Sequence, residues 1–201
     1  MCDACGDDYS AVVTERRREL VRGILAEIGD DATREGLAET PARVVKAWST
    51  WFSGYGQDPK DILKVFADGA EGVDEMVIEV DIPFYTHCEH HMAPFFGLAS
   101  VAYIPDGKVL GLSKMNRLVD LFARRLQVQE RLTNQIADAM EELLKPKGVG
   151  VLIRARHLCV ESRGIKHRGC STTTSALRGV MKTEPDARHE FLTLAKTNTP
   201  I

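Results

Sequence analysis

The sequence predicts an α+β fold, a mostly antiparallel sheet with two amphipathic helices between its strands, preceded by a helical region. Three observations carry this. Two alternating, β-branched stretches, MVIEVDIPF (76–84) and LASVAYIP (98–105), come first, and GVGVLIRAR (148–156) and STTTSALRGVM (171–181) come last. Between them, Met115, Leu118, Val119 and Phe122 fall at i, i+3, i+4 and i+7, and Val128, Leu132, Ile136, Met140 and Leu143 form a second stripe. Between residues 11 and 70 the apolar spacing is mostly helical. Strands, two helices and strands again make a layered α+β arrangement.

Each element follows from local chemistry. Residues 1–10 read as a flexible tail. Residues 11–29 carry Val13, Leu20, Ile24, Leu25 and Ile28 at mostly helical spacing and end at Gly29. Thr40 before Pro41 reads as a hydroxyl N-cap followed by a proline whose missing N–H does no harm. That helix runs through Val44, Val45, Trp48 and Phe52 to a stop at Gly54, and Pro59–Phe66 reads as a third, short helix. The helical region thus covers 11–70 and the sheet-bearing domain 71–201. Within the latter, CEHHMAPFFG (88–97) links the first two strands, Pro146 and Gly148 end the second long helix, and Pro185 to Lys196 closes the chain as a helix.

Composition narrows the function. A chain of 201 residues with 44% hydrophobic and 27% charged residues buries a real core, which excludes disorder and a disulfide-stapled miniprotein. The net charge of −3 offers no global field for nucleic acid. No stretch is apolar enough for a membrane span and no signal-peptide core follows Met1, so the cytoplasm is the expected compartment. Five cysteines fit no closed disulfide framework. Cys2 and Cys5 form a C-x-x-C with no second pair, which reads as part of the tail.

The chemistry concentrates in His87-Cys88-Glu89-His90-His91. Cys88 and His91 stand three positions apart, so one tight turn aims a thiolate and an imidazole at a common point. His157-Leu158-Cys159 offers a third ligand at what reads as a strand end, where i and i+2 share a face. A Cys2His set with an open fourth position has the stoichiometry of a catalytic zinc, whose water of lowered pKa attacks an electrophilic carbon. The zinc deaminase signature fails because no P-C-x-x-C follows, and no H-E-x-x-H occurs.

A second constellation is cationic. Gly111-Leu112-Ser113-Lys114 opens a helix with Lys114 and Arg117 one turn apart near its N-terminus. Arg154, Arg156, Arg163, Lys166 and Arg168 face one acid, Glu161, and a polyphosphate needs cations from more than one segment. On the stripe defined by Val128 and Leu132, Gln129 and Glu130 point off the core face. They read either as solvated surface or, for the carboxylate, as a bidentate acceptor for a guanine edge.

These residues resemble the zinc-dependent GTP cyclohydrolase I family. The matching stretches are REGLAETPARV (34–44), CEHH (88–91), AYIPDGKVLGLSK (102–114), RRLQVQERLT (124–133), PKGVGV (146–151), HLCVESRGI (157–165) and STTTSALRG (171–179). The resemblance implies a T-fold, assembled as a decamer of two pentamers with sites at subunit boundaries. The implied reaction converts GTP and water to formate and 7,8-dihydroneopterin triphosphate, the entry to folate and pterin synthesis. By matching motif, Cys88, His91 and Cys159 would bind zinc, and His90 and His157 would transfer protons. Glu130 would anchor guanine with Gln129 beside it, Lys114, Arg117 and Arg163 would clamp the triphosphate, Ser113 would contact ribose or phosphate, and Arg43 would join the phosphate site. His87 and Cys170 depart from the family pattern. Two rival readings are a zinc-stabilised nucleotide-binding module without turnover and a T-fold relative acting on a pterin or deazapurine.

Overall fold

The computed structural model describes residues 4–196 and Thr199. The chain divides into two compact units after Phe52. The first unit holds α1 (Ala4–Glu27) and α2 (Thr40–Trp51). Val21, Leu25 and Val45 form its core with Leu37, Val44 and Trp48 packed against them. Helix α1 begins ahead of residue 11, where the spacing starts it, and Cys2 lies outside the described residues. The expected Thr40 cap is not formed. Glu39 takes the N-cap position without a side-chain bond, so Thr40 is already helical and Pro41 alone marks the start.

The second unit opens with a 3-10 turn, Ser53–Gly56, and α3 (Pro59–Ile62). Gly54 does not stop α2, which ends at Trp51; it packs so closely on the backbone of residues 121–124 that a Cβ there would sit 2.0 Å from the Leu121 carbonyl oxygen. The expected third helix is cut short because β1 (Val65–Phe66) pairs antiparallel with β4 (Val109–Leu110). The main strands are β2 (Val77–Cys88), β3 (Pro94–Ile104), β6 (Gly148–His157) and β7 (Thr172–Gly179), consecutive antiparallel neighbours. Two residues, β5 (Leu126–Gln127), add parallel to the end of β2 at His87 and Cys88. Strands β2 and β3 reach much further into CEHHMAPFFG than alternation predicted, leaving a linker of only Glu89–Ala93. The extension is imposed by pairing, since Phe95 and Phe96 bond across to His157 and Arg156 on β6.

Helices α4 (Ser113–Ala123) and α5 (Gln129–Leu144) cover one face of this sheet. Their apolar stripes meet the inward residues Ile82, Phe84, Phe95, Ala99, Val101, Val151 and Ile153 in one buried core. A smaller cluster centred on Phe191 of α8 (Pro185–Leu194) and Met181 of α7 (Val180–Thr183) involves Ala102 and Leu177. The antiparallel sheet with two helices on one face is the expected T-fold. Among the described residues no helix is long and apolar enough to cross a membrane.

Candidate metal centre and active site

Alternation along β2 buries Ile82, Phe84, Thr86 and Cys88 on the helix-covered face. Cys88 is the last residue of the strand, held where its N–H donates to the Ala93 carbonyl (2.8 Å) and its carbonyl accepts from Met92 (2.7 Å). The five-residue linker so closed carries His90 and His91, both exposed. Their Nδ1 atoms stand 3.7 Å and 4.0 Å from Cys88 Sγ.

The third sulfur arrives by a different route from the one the spacing implied. Strand β6 ends at His157, and Leu158–Glu161 forms one helical turn, α6. Cys159 therefore does not share a strand face with His157; the turn swings it toward Cys88 while His157 stays on the sheet. The ligand atoms of Cys88, His91 and Cys159 all lie within 4.8 Å of one another. His90 falls outside that convergent set. A tetrahedral zinc with bonds of about 2.0–2.3 Å has ligand edges of roughly 3.5–3.8 Å, so slight contraction about an ion would complete it. Burial, with the adjacent Cys88 sulfur adding to it, pushes the Cys159 thiol up, while Arg163 partly offsets the effect. Two adjacent thiols beside one imidazole, with burial keeping the Cys159 thiol protonated until a cation displaces the proton, are the donor chemistry zinc selects.

His157 lies across the sheet from Phe95, its antiparallel partner, and the rings stack at 4.4 Å and 11°. Its Nε2 is 2.8 Å from Gln129 Oε1. Burial holds this imidazole below its ordinary range, and the Glu130 carboxylate opposes that in part. The expectation that Gln129 points off the core face is overturned: its side chain is only 2% exposed, because the first turn of α5 sits down on β6 and β7. Glu130, one position on, is exposed.

Electrostatically, the basic run is less free than its composition implied. Arg156 is held by Glu161 through two bonds of 2.8 and 2.7 Å, so the one acid of the run neutralises one of its cations. Glu89 pairs with Arg131, whose guanidinium holds that carboxyl below the usual range. Arg163 stays exposed close to the sulfurs.

One copy of the chain thus brings together Cys88, His90, His91, Gln129, Glu130, His157, Cys159 and Arg163. It does not bring Ser113, Lys114 and Arg117 to them. Those residues occupy the first turns of α4, where Asn116 bonds to Glu79 near the start of β2. Cys88 lies nine residues further along that strand, roughly 25–30 Å away at about 3.3 Å per residue. Arg43 belongs to the first unit, paired there with Glu39. Sequence reasoning missed Phe95, Thr133 and Thr174, because nothing in spacing reveals which distant residues meet His157 and Gln129.

A sequence model described as GTP cyclohydrolase I matches residues 17–196. A protein named GTP cyclohydrolase 1 from Janthinobacterium sp. (strain Marseille) is 59% identical over 94% of this chain and 92% of its own length. Proteins of the same name from Nitrosospira multiformis and Deinococcus radiodurans are 55% and 56% identical over 87% and 86% of this chain, and 92% and 80% of their own lengths. Its match to the family over nearly its whole length, with its CEHH and HLC segments folded onto one point, means that this chain belongs to the GTP cyclohydrolase I family.

Proposed function

We propose that this chain performs its family's reaction, GTP and water to formate and 7,8-dihydroneopterin triphosphate, at a zinc ion held by Cys88, His91 and Cys159. The observation that carries this reading is the convergence of two thiols and an imidazole beside a second, hydrogen-bonded imidazole. When bound, zinc supplies Lewis acidity and a coordinated water of lowered pKa. His157, flat against Phe95, and His90, in the exposed linker, take up and return protons at the purine. Glu130 accepts the N–H groups of the guanine edge, and Arg163 faces the phosphates.

Ser113, Lys114 and Arg117 complete the triphosphate site from a second copy of the chain. The distance along β2 favours this, since an extended nucleoside triphosphate cannot bridge it. The sheet also has open edges: β7 on one side, and β2 beyond its two-residue pairing with β5 on the other. Edge pairing between copies would bury both, as in a decamer of two pentamers with closed sheets. A site that needs reduced thiols suits the cytoplasm.

Incubation with GTP, scoring formate and the fluorescence of the oxidised pterin, tests the reading. Activity should vanish on chelation and return with zinc. Tight GTP binding without formate release would favour the nucleotide-binding module instead.

A further inference from the structure

The geometry points to Gln129 as a positioning residue that decides which nitrogen of His157 carries the proton. This rests on the reading of His157 as a proton-transfer residue.

The side chain of Gln129 is buried and its orientation is over-determined. Its Nε2 donates to the Ile153 carbonyl (3.1 Å) and the Thr172 carbonyl (3.0 Å), and lies 3.1 Å from Thr174 Oγ1. Backbone carbonyls only accept, so the NH2 end must face them and the amide cannot be turned over. Oε1 is then obliged to face His157. An amide oxygen only accepts as well, so the 2.8 Å contact requires a proton on His157 Nε2. In the neutral ring Nδ1 is therefore the basic atom, the one able to take a proton from a reacting group. The stack on Phe95 fixes the plane in which that lone pair points.

The support extends one layer further. Thr133 Oγ1 donates to the Gln129 carbonyl (2.7 Å) and lies 2.7 Å from Thr174 Oγ1. Helix α5 and strands β6 and β7 thus all meet at this one amide. Such over-determination commits both ends of the Gln129 amide to partners within the chain. Its contribution is orientation, which separates it from Glu130, whose carboxylate is exposed.

The test uses zinc-loaded, histidine-15N-labelled protein at about pH 8, where an ordinary imidazole is neutral, with the His157 signals assigned by their loss in His157→Asn. Wild type should show protonated Nε2 and bare Nδ1 without GTP present. Gln129→Met, close in volume but unable to accept, should lose that preference, keep its zinc and its GTP affinity, and turn over roughly 10- to 100-fold more slowly. A wild-type ring protonated on Nδ1 overturns the proposal, and does so even if the variant fails to fold. So does a variant that loses GTP affinity in parallel with turnover, which would make Gln129 a substrate contact. The tautomer is read without substrate, so failure of the wild type to release formate would remove the catalytic reading independently of this result.

Discussion

Co-expression of a Lys114→Ala chain with a His91→Ala chain tests whether one substrate site draws on two copies. Lys114 stands on the first turn of α4, near the Asn116–Glu79 contact, and His91 stands beyond the far end of β2. Roughly 25–30 Å of strand separates the two ends, from nine residues at about 3.3 Å each. Alone, His91→Ala should lose metal and turnover. Alone, Lys114→Ala should lose a charge-assisted phosphate contact of about 1.5–3 kcal/mol, or roughly 10- to 150-fold in GTP usage. In a random one-to-one assembly, a site is whole when its metal half comes from the Lys114→Ala chain and its cationic half from the His91→Ala chain. Each event has a probability of about one half, so about one quarter of the sites are intact. Formate release at subsaturating GTP should accordingly recover to about a quarter of the wild-type rate. Co-assembled protein no more active than the average of the two parents would refute the shared site.

Two further outcomes follow from the packing and the electrostatics. Gly97→Ala would place a Cβ 1.9 Å from the Arg154 carbonyl oxygen and 2.7 Å from the Ala155 Cα, forcing β3 off β6. A loss of about 3 kcal/mol in urea unfolding is expected, and a change below about 0.5 kcal/mol would show that the strands yield freely. Burial holds the His87 imidazole below its ordinary value of about 6.5. As pH falls through that value the unfolded chain binds the proton first, so the contribution is complete above it and declines until the lower folded value is reached. His87→Gln should flatten the fall of the urea midpoint from about pH 7.5 to 5; equal slopes in both proteins would remove the burial argument.

The strands, the two amphipathic helices and the Cys88, His91 and Cys159 cluster were legible because their signals are local. Alternation along MVIEVDIPF needs no partner to be read, but a bulge between Glu79 and Ile82 moves the helix-facing positions from Val77 and Glu79 to Ile82, Phe84 and Cys88, and that shift leaves no mark in the pattern. Boundaries were less legible. Val65–Phe66 and Phe95–Phe96 are strands because β4 and β6 pair with them, and pairing partners distant in sequence leave no local mark. Thr40 has the chemistry of a cap, yet the backbone turns helical one residue early, at Glu39.

The site divides along the same line. Residue type and order alone pointed to the Cys2His cluster that the fold brings together, since thiols and imidazoles three positions apart, with a third donor downstream, carry their chemistry in any fold. Only the tertiary structure decided that Cys159 reaches Cys88 from a helical turn rather than along a strand, and that Gln129 lies beneath β6 and β7 with its amide locked. It alone separated Lys114 and Arg117 from the sulfurs by the length of a strand. Ligand identity is a property of single side chains, whereas burial, tautomer and distance are properties of surfaces that meet only when the chain has folded.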